Sequence, residues 1–139
     1  MRGLTQQSSR DGAAGVPGIE VVAGDETPTL LRAVRETLAA TGAGPGHVAV
    51  TLVTAVEIRR LNRDHRDIDA PTDVLSFPVD EDGSTPGPRE LGDVVICPEQ
   101  TDDLVRAAVH GVLHLLGHDH ETDGGEMLAL EDRILATLG

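Results

Sequence analysis

The apolar residues of this chain switch repeatedly between strand-like runs and helical stripes. Ile19 to Ala23 is a short β-branched run that predicts a strand. Thr27-Pro28 reads as an N-cap followed by Pro at the first helical position, and Leu30, Leu31, Val34 and Leu38 recur at helical spacing up to Gly42. A Gly-Pro-Gly turn at 44–46 leads into a second strand, Val48 to Thr54. Thr54-Ala55-Val56-Glu57 has the form of a capping box, opening a helix with Ile58 and Leu61 facing inward. Val74 to Val79 and Leu91 to Cys97 predict an antiparallel strand pair across a loop rich in Pro, Gly and acid, with Asp80, Glu81 and Asp82 as its solvated turn. Thr101, with Asp102 and Asp103, is placed to cap a helix reaching about Leu116. Asp123-Gly124-Gly125-Glu126 offers an N-cap with Glu at the third position of a last helix carrying Met127, Leu128, Leu130, Ile134, Leu135 and Leu138. The order β-α-β-α-β-β-α-α implies an α+β fold: one domain, a small mixed sheet and helices packed on it. The Gly-, Ser- and Gln-rich residues 1–18 are expected to be a disordered extension, leaving 19–139 as the folded domain.

Composition narrows the chemistry. A chain of 139 residues is long enough for one core that buries about two thirds of the unfolded surface. No apolar run reaches membrane-spanning length, and the N-terminus lacks the apolar region of a secretory signal, so a cytoplasmic protein with no membrane partner is expected. The single Cys97 has no internal disulfide partner and suits a reducing compartment. Basic residues number 11, all Arg, against 24 acidic ones, a net charge of −13. Such a chain is no passive coat for nucleic acid, and DNA is not expected as a partner. Phe77 is the one aromatic residue, so there is no platform for stacking successive bases.

One stretch changes the picture: His110-Gly111-Val112-Leu113-His114-Leu115-Leu116-Gly117-His118-Asp119-His120. His110 and His114 are four apart in an apolar run and share a helix face. Gly117 can take the left-handed backbone that ends a helix, turning His120 towards the same point. Three neutral imidazoles with an open fourth position are the pattern of catalytic zinc, where a bound water has its pKa lowered to about 7. The spacing is that of the metzincin proteases, but their general base, a Glu directly after the first His, is replaced by Gly111. His118 is four residues from His114, yet Gly117 interrupts the register; it reads as a ligand or as a supporting or surface residue.

The other concentration of charge is Arg59, Arg60, Arg63 and Arg66, in a segment where Glu57, Asp64, Asp67 and Asp69 balance them. A phosphate-binding face and a solvated face with local ion pairs both fit Arg59, Arg60 and Arg63. Ser76 and Asp73 fit either a cleft rim or ordinary strand packing and turn capping.

Three motifs in order carry a resemblance. Leu61-Asn62-x-x-His65-Arg66-x-x-Asp69-x-x-Thr72-Asp73-Val74-Leu75-Ser76-Phe77-Pro78, then Leu91-Gly92-Asp93-Val94-Val95-Ile96, then His110 to His120, are similar to the YbeY family, the bacterial rRNA maturation factors. The resemblance spans nearly everything after residue 19. It implies an endoribonuclease that depends on one Zn2+ per chain, cuts single-stranded RNA and acts in 3′-end maturation of small-subunit rRNA and ribosome quality control. Ribosomal proteins or the ribosome are then expected partners. The family's metal-binding His match His110, His114 and His120, and its functionally important Arg matches Arg66; Arg66 and His114 are therefore the expected catalytic residues. This chain departs by carrying His65 where the family usually has Tyr, and by a shorter segment between Cys97 and His110, where the family has an extra helical stretch. Two other readings of the residues stand beside this one: a metallopeptidase-like hydrolase, and a non-catalytic, zinc-stabilised module that binds the ribosome.

Overall fold

The computed structural model describes residues 19–42, 46–79, 89–118 and 124–139. Alternating buried and exposed positions make β1 (Ile19–Val22) a one-sided strand, with Ile19 and Val21 buried and Glu20 and Val22 out. A 3-10 turn, Gly24–Glu26, then passes directly into α1 (Thr27–Thr41). Thr27 is therefore the first helical residue and not its cap; its hydroxyl accepts the backbone N–H of Ala23 at 3.2 Å and ties the helix to the end of β1. Gly42, at φ +70°, closes α1 in the left-handed conformation that Gly adopts without steric penalty.

β2 (Gly46–Leu52) is followed by α2 (Ala55–Arg66), and Thr54 caps it as the sequence predicts, accepting from the Glu57 N–H at 3.2 Å. The box is not reciprocal. Glu57 pairs with Arg60, and the Ala55 N–H is taken by Glu99 Oε1 at 2.8 Å. β3 (Val74–Pro78) and β4 (Arg89–Ile96) follow, then α3 (Leu104–Leu115) and α4 (Glu126–Leu138). The sheet order is β1-β2-β4-β3: β1 and β4 flank β2 in parallel, and β3 lies antiparallel to β4 at the edge. The described residues thus form an α+β fold, with a mixed four-stranded sheet and four α-helices. Residues 1–18 and the 80–88 loop lie outside the described residues.

Two further caps differ from the sequence-based expectation. Asp103, not Thr101, caps α3, its Oδ1 accepting the Arg106 N–H at 2.9 Å, while the Thr101 hydroxyl accepts the N–H of Asp103 itself at 3.2 Å. A hydroxyl two residues before the cap finds the nearer backbone group first. Gly125 caps α4, so Glu126 is its first residue and reaches back to the Gly124 N–H at 2.7 Å; Asp123 lies outside the described residues.

The connection from β4 to α3 is short, a 3-10 turn at Pro98–Gln100 and four further residues, in line with the shortened segment seen in the sequence. One face of the sheet is nevertheless well covered. Val48, Val50, Val94 and Ile96 pack there against Leu30 and Val34 of α1, Val109, Val112 and Leu113 of α3, and Met127 and Ile134 of α4. The other face carries a smaller cluster in which Ile58 of α2, Leu75 of β3 and Cys97 are buried. Among the described residues no helix is long and apolar enough to cross a membrane.

Candidate metal centre and cleft

α3 is apolar on nearly every side: Ala107, Ala108, Val109, Gly111, Val112, Leu113 and Leu115 are all buried. A helix with this pattern must run through the core, and it carries His110 and His114 half-buried at one edge. The fit against the sheet depends on Gly111. A Cβ there would stand 2.5 Å from Val94 Cγ1 and 3.1 Å from Val74 Cγ2. The Ser76 hydroxyl clips the same point, donating to the Gly111 carbonyl at 2.7 Å. The position that holds the general base in the metzincin pattern therefore points into the sheet, where a Glu has no room. Gly111→Ala should destabilise by about 1–2 kcal/mol, the overpacking against Val94 outweighing roughly 1 kcal/mol gained in helix propensity. The shift in urea midpoint at constant slope measures it.

At the other end α3 closes as the sequence predicts. Gly117 has φ +95°, its N–H bonds to the His114 carbonyl at 3.0 Å, and the His118 N–H bonds to the Leu113 carbonyl at 3.0 Å. These two bonds are a Schellman motif, which reverses the chain just past the second His. His110 Nε2 and His114 Nε2 lie 3.2 Å apart, the rings crossing at 72°. Two imidazole nitrogens each at 2.0–2.1 Å from a tetrahedral zinc are separated by about 3.3 Å. The pair thus fits such an ion. His120, the third expected ligand, lies outside the described residues, and among the described residues no group of three His, Cys, Asp or Glu is gathered for a metal. His118 lines the cleft without completing such a group.

Behind the pair is a residue that motif reading passed over. Glu131 of α4 is 3% exposed, with Oε1 at 2.7 Å from His110 Nδ1 and Oε2 at 2.6 Å from the Arg106 guanidinium. The hydrogen bond from Arg106 to Glu131 also raises the Arg106 pKa above its ordinary value. The signal was present in the sequence. Glu131 stands between Met127 and Ile134 on the buried face of an amphipathic helix, where a carboxylate needs partners.

In front of the His pair is an open cleft of about 720 Å³. Its walls are His65 and Arg66 from the end of α2, Ser76 and Phe77 from β3, and the His pair from α3. Among the described residues β3 is the sheet's edge, and the cleft wraps around that edge and draws on both faces. Asp67, at φ +63°, ends α2 in the left-handed conformation, with its N–H on the Arg63 carbonyl at 3.1 Å. Asn62, 2% exposed, anchors the following loop by donating to the Ala70 carbonyl at 2.9 Å. His65 packs edge-on to Phe77, ring centroids 4.9 Å apart. The Ser76 hydroxyl is engaged with Gly111, and Asp73 caps the start of β3 by accepting the Val74 N–H at 2.8 Å, so packing and capping account for both.

The four Arg of α2 separate cleanly. Arg59 makes a two-pronged bridge to Asp69 at 2.8 and 3.2 Å, holding that carboxyl below its usual pKa. Arg60 pairs with Glu57, and Arg63 approaches Asp64 at 3.4 Å. Arg66 makes no ion pair among the described residues and opens onto the cleft. In a chain at −13 the described lining of this cleft is close to neutral: Arg66 stands against Asp73, the one acidic lining residue described, with His65, His110, His114 and His118 beside them.

The endoribonuclease YbeY family matches residues 23–139 of the 139. The chain belongs to the YbeY family. The YbeY endoribonuclease of Roseiflexus castenholzii is 40% identical over 128 residues, covering 78% of this chain and 80% of that one. That of Alkalilimnicola ehrlichii is 45% identical over 124 residues, 78% of this chain and 75% of its own length. That of Moorella thermoacetica is 41% identical over 133 residues, 80% and 85% of the two chains. Among solved structures, the solution structure of TM1509 from Thermotoga maritima matches with a TM-score of 0.52 and 29% identity, covering 86% of this chain and 88% of that one. The residues described above as lining the cleft all fall inside the YbeY match.

Proposed function

We propose that this protein is a zinc-dependent endoribonuclease that cuts single-stranded RNA, acting in the cytoplasm on small-subunit rRNA at its 3′ end and in ribosome quality control. The observation that carries the reading is the placing of Arg66, with no ion pair among the described residues, on the same cleft as the Nε2 atoms of His110 and His114, in a chain of the YbeY family. His110, His114 and, by its spacing, His120 would hold one zinc ion. Zinc, when bound, supplies a Lewis acid for a phosphoryl oxygen and a water of lowered pKa. The chain's own groups do the rest. The Arg66 guanidinium, planar and permanently charged, takes two oxygens of the scissile or adjacent phosphate and stabilises the charge that builds there. The edge of β3, with Phe77 braced by His65, guides the strand past the His pair. A protein of net charge −13 meets polyanion repulsion overall, which favours delivery of the RNA by the ribosome or a ribosomal protein.

The metallopeptidase reading lacks its base and the room for one at Gly111. The test is cleavage of a single-stranded RNA by the purified protein, with His114→Ala in parallel. Wild type should cut, a chelator should stop it and zinc should restore it, while His114→Ala should lose activity by a factor of about 10³ or more. Equal cutting by both proteins would sink the metal-centred reading. No cutting by either, with one zinc still bound per chain, would favour the non-catalytic ribosome-binding module.

A further inference from the structure

We infer that Glu131, on the last helix, is a positioning residue that fixes the tautomer and orientation of His110 for metal binding, with Arg106 as its anchor. The inference rests on the reading of His110 as a metal ligand. A carboxylate that is 3% exposed on the apolar face of a helix carries a desolvation penalty that an aliphatic side chain would avoid. Filling space therefore does not account for it.

Both of its oxygens are engaged, in different directions. Oε2 receives the Arg106 guanidinium at 2.6 Å, from a side chain that is half exposed and also lies 3.4 Å from Asp132 Oδ1 and 3.9 Å from Asp103 Oδ2. Arg106 can only donate, so Glu131 Oε2 is the acceptor of that bond. Oε1 lies 2.7 Å from His110 Nδ1. An acceptor there requires the proton of a neutral imidazole to sit on Nδ1, and this leaves a lone pair on Nε2. That Nε2 is the atom 3.2 Å from His114 Nε2, and the two would hold the metal together. A carboxylate behind a ligating His also raises the donor strength of the ring. Glu131 makes the inner face of α4 part of the metal site, although α4 itself carries none of the predicted ligands.

The experiment has two readouts, neither of them cleavage. Zinc affinity is measured by competition with a chromophoric chelator for wild type, Glu131→Gln and His110→Ala. The tautomer of His110 is read in metal-free protein from two-bond proton–nitrogen correlations of the ring. Glu131→Gln should bind zinc about 10–100-fold more weakly, and His110 should shift from the Nδ1–H form of wild type towards a mixture. Glu131→Met, of similar length and apolar, should show the same loss; full zinc affinity in that variant would mean that Glu131 only fills space. If His110→Ala binds zinc as tightly as wild type, the metal reading itself is wrong. If His110→Ala loses zinc while Glu131→Gln keeps wild-type affinity, the metal reading stands and the role of Glu131 is wrong. Should neither Glu131 variant fold, an Nε2–H tautomer in the wild-type spectrum overturns the inference and an Nδ1–H tautomer sustains it.

Discussion

Arg66→Ala should lower kcat/KM for a single-stranded RNA by about 10²–10³-fold, the usual result of removing one preorganised group from developing charge. The expectation comes from what Arg66 lacks as much as from what it is. Arg59, Arg60 and Arg63 are held by Asp69, Glu57 and Asp64, whereas Arg66 has no such partner among the described residues and borders the cleft with the His pair. Folding should hardly notice the change. Arg66 is exposed and ends α2, so its loss removes a favourable charge at a helix C-terminus, about 0.3–1 kcal/mol. Arg66→Lys keeps the charge without the two-pronged fork and should fall between wild type and Ala. Zinc affinity should be the same in all three proteins. Unchanged cleavage by Arg66→Ala at sub-saturating RNA would remove the phosphate role.

Gly92→Ala should have the largest effect on stability, about 2–6 kcal/mol, which for a domain of this size lowers Tm by roughly 7–20 °C. Gly92 has φ +138°, a backbone that side chains rarely permit, and an added Cβ would meet the Phe77 carbonyl oxygen at 2.2 Å. That oxygen is backbone, so relief requires β3 to move away from β4. Pro78 Cα and Leu115 Cδ2, both at 3.0 Å, block the remaining directions. The crowding has a visible origin. The pairing of β2 with β4 jumps from His47–Glu90 to Val48–Gly92, leaving Leu91 as an extra residue that swings the strand. Because β3 forms a wall of the cleft, activity should fall with stability. A wild-type Tm in this variant would mean that β3 does not approach β4 as described.

The period of the apolar residues gave the elements, and with them the α+β class, most plainly where an element such as β1 or α1 meets the core on one side only. The β3–β4 pair was legible too, from two short strands across one loop. What was not legible came from contacts remote in sequence. Thr27 and Thr101 looked like caps because hydroxyls favour caps, but each found a backbone N–H nearer to hand. Arg59, Arg60 and Arg63 were ambiguous until the loop after α2 brought Asp69 back against Arg59. The spacing of His110 and His114 was readable because one helix turn separates them; the third ligand expected there, His120, lies outside the described residues. Glu131 was missed because it is 21 positions from its His and sits within a pattern that reads simply as an amphipathic helix.

The two halves of the cleft are supported by cores of very different size. The His pair belongs to α3, embedded in the large cluster shared by α1, α4 and three strands. Arg66 belongs to α2, held on the opposite face by Ile58, Leu75, Cys97 and a few half-buried neighbours. Native-state opening should follow this division, with α2 exchanging its amide protons well before α3. Such an opening would leave the His pair assembled while Arg66 swings away. On the proposed function, metal retention and turnover would then be uncoupled, and a ligand that pins α2 to β3 would act as an activator without touching the metal.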